Sequence, residues 1–312
     1  MSIDYKTLRQ SLSGAVYPIC PSFHENGDLD LDGTSEYAAA LVRQGARALM
    51  VTAGTSRLNL MTADEAHAVN KAVVDGGKGA TVMAANPITG STKHVAAFAE
   101  RSYKDGAKAL MVFYPERYYG DADIVAYFKA IASASPMGLL LHEMAFRSGI
   151  PGTTDPIQFS VSLIRQLCEL ECFVGLKEES LAEGHRYQIA KNFRDRLAII
   201  VAGGGMRTFL ACNPWGVGSY LVGIGSLKPE IDQQFLAAIA AKDVSAALAL
   251  IQKYEDPLFA EAVPMGWHRG LKGAMALLGY GKPYERAPMR TLDATERARL
   301  AALLASWGWL TA

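Results

Sequence analysis

Lys177 is the residue around which this sequence can do chemistry. It closes the run Cys172-Phe173-Val174-Gly175-Leu176-Lys177-Glu178-Glu179, an apolar stretch of strand type that ends in a lysine. Burying such a lysine disfavours the ammonium, lowers the pKa and leaves a neutral amine, the form that attacks a carbonyl. A lysine at a strand end is by itself most often a solvated residue, so the case depends on what else the chain supplies. His142 and Glu143 close a second apolar run, with Arg147 beyond it. Gly54, Thr55 and Ser56 follow a third run, and Tyr114, Tyr118 and Tyr119 follow a fourth. An amine, an imidazole, a guanidinium and a cluster of small hydroxyls together suit a 2-oxo acid. The amine takes the carbonyl, hydroxyls and backbone amides take the carboxylate, and an acid–base group moves protons.

These groups act together only if a scaffold brings their strand ends to one place. Eight strand-type runs are predicted: Ala15–Cys20, Ala46–Thr52, Ala80–Ala85, Ala107–Phe113, Met137–His142, Phe173–Lys177, Leu197–Ala202 and Gly218–Gly223. Between them, apolar residues recur at helical spacing over Ser35–Val42, Ala63–Val74, Thr92–Tyr103, Ile124–Ser133, Pro156–Leu170 and Ala182–Phe193. Continuous apolar strands separated by helices predict parallel strands with covered faces. Eight such units predict the α/β class and a closed (β/α)₈ TIM barrel. An open doubly wound sheet is the competing architecture, but no Gly-x-Gly-x-x-Gly turn follows the first strand. Further helices are predicted over Ile231–Ala240, Val244–Tyr254, Trp267–Leu278 and Ala294–Trp307. That is more helix than closing a barrel requires. The expected division is a barrel over residues 1–228 and a C-terminal helical extension over 229–312, the latter supporting a homo-oligomer. In such a barrel the active site lies at the C-terminal ends of the strands.

Composition narrows the partners. The 312 residues carry 31 basic and 31 acidic side chains, a balance that argues against nucleic acid or an anionic membrane surface. No apolar run reaches membrane-spanning length, and the start Met1-Ser2-Ile3-Asp4-Tyr5-Lys6 lacks the basic-then-apolar pattern of a signal peptide, so a cytoplasmic protein is expected. Cys20, Cys168, Cys172 and Cys212 form neither a disulfide framework nor a pair of metal knuckles and read as structural thiols. The histidines and acids lack metal-ligand spacing, which weakens a metal-dependent aldolase.

Gly175-Leu176-Lys177-Glu178 resembles the Schiff-base lysine segment of the dihydrodipicolinate synthase / N-acetylneuraminate lyase family. The opening Gly14 to Phe23, the Gly54-Thr55-Ser56 loop, Arg147-Ser148-Gly149 after strand five and the helical tail fall in the family's order, over most of the chain. The resemblance implies a barrel with a C-terminal helical domain, often a homotetramer. It also implies that Lys177 forms an imine with pyruvate or another 2-oxo acid, without metal or organic cofactor. The protonated imine then serves as an electron sink for aldol cleavage, condensation or dehydration.

The departures are as specific as the matches. The family's Tyr-Asn-x-Pro-x-Arg-x-Gly segment here reads His142-Glu143-Met144-Ala145-Phe146-Arg147-Ser148-Gly149, with His142 where the proton-shuttling tyrosine stands. The family's Gly-Thr-Thr-Gly-Glu loop reads Gly54-Thr55-Ser56-Arg57, a cation where the acid usually stands. These argue for a diverged aldolase or dehydratase. The expected roles are Lys177 as nucleophile, His142 as acid–base group, and Thr55, Ser56 and Arg147 as carboxylate contacts. Tyr220 in strand eight would face the barrel mouth and touch substrate, or else pack in the core. Arg57 would be a second anion anchor or a surface ion pair. Gly203-Gly204-Gly205 would let a ligand approach the backbone. Glu178 and Glu179 read as solvated or paired loop acids, and Trp267-His268 as packing. The altered positions also motivate a second reading, a non-catalytic barrel that binds a small carboxylate or has a structural or regulatory role.

Overall fold

The eight apolar runs form one closed parallel barrel. A computed structural model describes residues 3–113, 120–143 and 158–310. The strands are β1 (Gly14–Pro18), β2 (Ala48–Met50), β3 (Thr81–Ala85), β4 (Ala109–Val112), β5 (Gly138–Glu143), β6 (Phe173–Glu178), β7 (Ala198–Val201) and β8 (Ser219–Leu221). Each pairs in parallel with its neighbour in sequence, and β1 also pairs with β8 to close the ring. Most strand positions are buried; in β4, β5 and β6 every residue is. Burial on both faces is why these runs are apolar without alternation.

The covering helices are α1 (Tyr5–Ser11), α2 (Leu31–Arg43), α3 (Ala63–Gly76), α4 (Thr92–Lys104), α5 (Asp121–Ala134), α6 (Val161–Leu167), α7 (Glu183–Phe193) and α8 (Gly205–Cys212). The Thr62 capping box starts α3, with its side chain on the Glu65 amide and the Glu65 side chain returning to the Thr62 amide. Two of these helices go beyond the sequence reading. α1 sets Leu8 against Gly138 and the Leu12 carbonyl on the Ser219 hydroxyl at 2.6 Å, covering the end of the barrel where strands begin. α8 follows the three glycines 203–205.

The tail comprises α9 (Pro229–Ala240), α10 (Val244–Leu250), α11 (Asp256–Ala262), α12 (Trp267–Leu277) and α13 (Ala294–Ser306), with a π-helical turn at Ile251–Glu255 joining α10 to α11. α9 packs on the barrel: Phe235 meets Tyr220 of β8 with ring centroids 5.8 Å apart. α12 returns to the C-terminal ends of the strands. No helix among the described residues is long and apolar enough to cross a membrane.

Candidate active site

Alternation along a strand decides which side chains enter the barrel. Residues two apart share a face, so Lys177 and Glu179 point one way and Glu178 the other. The register sets His142 of β5 beside Lys177 of β6, and Glu143 beside Glu178. The two outward acids are held by α7 and its approach. Glu143 accepts from His185 Nε2 at 2.7 Å and from the Phe159 amide at 2.7 Å. Glu178 accepts from Arg186 and from the Ser180 hydroxyl and amide. Both carboxylates are fully buried, so these partners are what make their burial tolerable. The clamp fixes the two strand ends from outside while His142 and Lys177 meet inside.

Inside, three groups converge. Lys177 Nζ lies 2.8 Å from His142 Nε2 and 2.7 Å from Glu179 Oε2, and His142 Nε2 lies 3.0 Å from the same Glu179 oxygen. His142 Nδ1 is buried and unpartnered among the described residues, and the ring packs on Phe113 at 5.2 Å. Burial first, and the Lys177 charge second, push the imidazole down to about 4, although Glu179 pulls it back. It is neutral at physiological pH. Burial raises the Glu179 carboxyl, but the Lys177 charge and the hydrogen bonds from His142 and Lys177 outweigh it and hold the group well below the usual carboxylate range. Nε2 can either accept a proton from the lysine or donate one to the carboxylate. A proton on Nζ therefore faces two acceptors, Nε2 and Oε2, the second in direct contact.

These groups open into a cavity of about 420 Å³ at the C-terminal ends of the strands. Thr55 lines it; its carbonyl is held by Arg57 Nη1, and its hydroxyl has no partner among the described residues. His268 of α12 forms the facing wall. Burial, then the Arg57 charge, push its imidazole down to about 4. A Cβ at Gly54 would stand 2.7 Å from that ring, so only glycine leaves room for it.

The cavity does not receive every residue expected there. Ser56 is fully buried, donates to the Ile19 carbonyl at 2.7 Å and accepts from the Thr52 amide at 2.9 Å. It pins the loop and has no hydroxyl to offer a substrate. Tyr220 is also fully buried, with its hydroxyl on Asp232 Oδ1 at 2.5 Å and its ring 4.8 Å from Phe209. It faces the helical layer, away from the mouth. Arg57 is neither an anion anchor nor a surface pair. It lies in the core, bonded through Nε to Glu285 Oε2 at 3.2 Å and through Nη2 to the His268 carbonyl at 2.8 Å. Arg147, Tyr114, Tyr118 and Tyr119 lie outside the described residues.

The Dihydrodipicolinate synthetase family model matches residues 11–306. The chain belongs to that family. It is 24% identical over 294 residues to 4-hydroxy-tetrahydrodipicolinate synthase of Exiguobacterium sp., covering 92% of this chain and 95% of the relative. N-acetylneuraminate lyase from Fusobacterium nucleatum has the same fold, with TM-score 0.82, 16% identity and coverage of 95% of this chain and 99% of that one. So does YagE of E. coli K12, a prophage protein solved in complex with pyruvate, with TM-score 0.80, 18% identity and coverage of 96% and 99%.

Against the dihydrodipicolinate synthetase pattern set out above, the structure gives both substitutions a local setting. His142, which the resemblance sets at the tyrosine position, has a carboxylate and an amine on its Nε2. The cation at Arg57 finds its acid in the tail, at Glu285. Glu179 is the central residue that the sequence reading missed; the two-residue period from Lys177 was the available signal. His268 had no such signal, because α12 is remote in sequence from every strand end.

Proposed function

We propose that this protein is a class I lyase that forms an imine between Lys177 and pyruvate or another 2-oxo acid, and then breaks or forms a carbon–carbon or carbon–oxygen bond beside it. The observation that carries the reading is the Lys177–His142–Glu179 cluster, in which a buried amine shares one imidazole nitrogen with a carboxylate. Family membership and the pyruvate complex of a structural relative support the same substrate class.

In this reading the Lys177 amine adds to the carbonyl carbon, and the carbonyl oxygen takes up a proton to give the carbinolamine. A second proton on that oxygen lets water leave, and the nitrogen lone pair forms the iminium. His142 carries protons between the nitrogen, the departing oxygen and Glu179. The iminium then accepts the electron pair of the bond that breaks at the adjacent carbon. Thr55 is the hydroxyl that meets the substrate carboxylate, and the expectation for Arg147 as a second contact stands with it. The same proposal takes the enzyme as a cytoplasmic homo-oligomer, a dimer or tetramer, with the helices after residue 228 as the extension.

Borohydride trapping tests it. Incubation with pyruvate and borohydride should leave a pyruvate-sized increment on Lys177, identified by peptide mapping, and Lys177→Arg should abolish it. Absence of any adduct across a panel of 2-oxo acids would overturn the imine and favour a barrel that only binds a carboxylate.

A further inference from the structure

The cavity has two unlike halves. Lys177, His142, Glu179, Thr55 and His268 make one polar half. The other is walled by Leu181, Leu221, Val222, Phe259, Val263 and Trp267. Leu181 and Val263 are 66% and 56% exposed, the two most exposed large apolar side chains among the described residues, and both stand on this one cavity.

Their placement is built into the backbone. Leu181 has φ +58, a left-handed conformation that a branched side chain adopts only at a cost of roughly 1–2 kcal/mol. Its side chain lies over Gly203, where a Cβ would collide with it. Phe259 and Trp267 pack edge to face at 4.8 Å, and a Cβ at Gly223 would stand 3.0 Å from Phe259 and 3.5 Å from Trp267. Glycine at the end of β8 therefore lets an aromatic pair from the tail close this flank.

Arg207 and two amides on this side have protein partners. Arg207 lines the cavity but directs Nη1 to Asp256 at 3.4 Å. The second and third amides of α8, at Met206 and Arg207, donate to Glu255 at 2.9 and 3.1 Å. Two amides of the helix that follows the glycine turn are thus taken up by a protein carboxyl group.

We infer that this half holds an apolar arm of the substrate, a ring or branched alkyl group beyond the reacting carbons of the oxo acid, in preference to a polyhydroxylated or phosphorylated chain. The inference rests on the imine reading of Lys177 and adds the substrate class. Burying such an arm removes its own surface and the rims of Leu181 and Val263 from water. A volume of about 420 Å³ is well beyond the needs of pyruvate alone.

The test titrates three 2-oxo acids against the whole protein and reads the concentration that gives half-maximal borohydride-trapped adduct at Lys177. The acids are pyruvate, 2-oxo-4-phenylbutanoate, and a polyhydroxylated 2-oxo acid of comparable length. The phenyl acid should require at least about tenfold less than the polyhydroxylated one, the scale of one apolar contact in a pocket. Leu181→Asn and Val263→Asn should each narrow that ratio several-fold. Asparagine tolerates the left-handed backbone at 181 better than leucine does, so the first variant is expected to fold. Equal requirements, a preference for the polyhydroxylated acid, or trapping of pyruvate alone would overturn the inference and leave the imine reading standing. No adduct with any of the three would remove the imine reading and the inference together.

Discussion

Replacing Glu179 with glutamine isolates the step that this site adds to a buried lysine. The carboxylate meets Lys177 Nζ at 2.7 Å and His142 Nε2 at 3.0 Å through one oxygen, Oε2. Glutamine keeps the length and an acceptor oxygen, so the side chain can hold the same pose, but its amide cannot take up a proton. The loss has two parts. Exchanging a charge-assisted hydrogen bond for a neutral one costs on the order of 1 kcal/mol. Removing a positioned proton acceptor costs roughly 10²- to 10⁴-fold in the step it serves, or about 3–5 kcal/mol of barrier. The rate of imine formation with pyruvate, followed by time-resolved borohydride trapping, should therefore fall at least about a hundredfold in Glu179→Gln. The carboxylate is also what raises His142, against burial and the Lys177 charge. Its removal should leave the imidazole harder still to protonate, so any acid limb in the residual rate that comes from His142 moves to lower pH. Wild-type trapping rates in Glu179→Gln, with Lys177→Arg inert, would refute the relay and leave Glu179 as a structural partner of the lysine.

Two further substitutions probe the frame around the site. Glu285→Gln should lower stability by roughly 3–5 kcal/mol in denaturant unfolding, the cost of leaving one member of a buried pair alone. Arg57 is fully buried, and Lys272 Nζ also loses its carboxylate at 3.8 Å; an unchanged midpoint would contradict the burial of that pair. Asp232→Asn should stabilise in a pH-dependent way. Burial raises the carboxyl from 3.8 to about 8 against the Tyr220 hydrogen bond, so the folded state keeps a proton that the unfolded chain releases. The group therefore costs stability increasingly as pH rises from about 4 to about 8, up to about 4 kcal/mol at pH 7. Thermal unfolding should find the variant's advantage large at pH 7 and gone near pH 4, and an advantage independent of pH would refute the shift.

The barrel was legible because its signal is local. Each strand is a short apolar run bounded by polar residues, and each intervening helix has a periodic apolar face. The eight strand centres follow from the sequence, with ends displaced by a residue or two where loops begin. Lys177, His142 and Thr55 were legible because strand ends face the mouth. Ser56 was not placed correctly and Tyr220 was left between mouth and core, because residue type alone does not say which way a side chain turns. A serine hydroxyl serves a backbone carbonyl as readily as a ligand, and a tyrosine one position out of phase faces the helices. Arg57 was read against its neighbours in sequence, whereas its partner lies 228 residues away. His268, Phe259 and Val263 arrive from the tail, and no pattern within α11 or α12 announces which strand ends they will cover.

The same distant contacts explain how the chain accommodates its departures from the family pattern. With a cation at 57, the strand-two loop needs an acid, and Glu285 supplies it. The guanidinium then also binds the His268 carbonyl at 2.8 Å and the Thr55 carbonyl. One buried side chain thereby sets the loop that carries Thr55 and the helix that carries His268. The loss of a tyrosine at 142 has a parallel answer. An imidazole is shorter than a phenol and, held near 4 by burial and the lysine charge, is a weak base. Glu179, which the strand period delivers to the same nitrogen, raises that imidazole against burial and the lysine charge. Two positions that look eroded from sequence are thus each completed by an acid: one from the residue two beyond the lysine, the other from the far end of the chain. In both places the side chain that departs from the family pattern lies within hydrogen-bond distance of an acid.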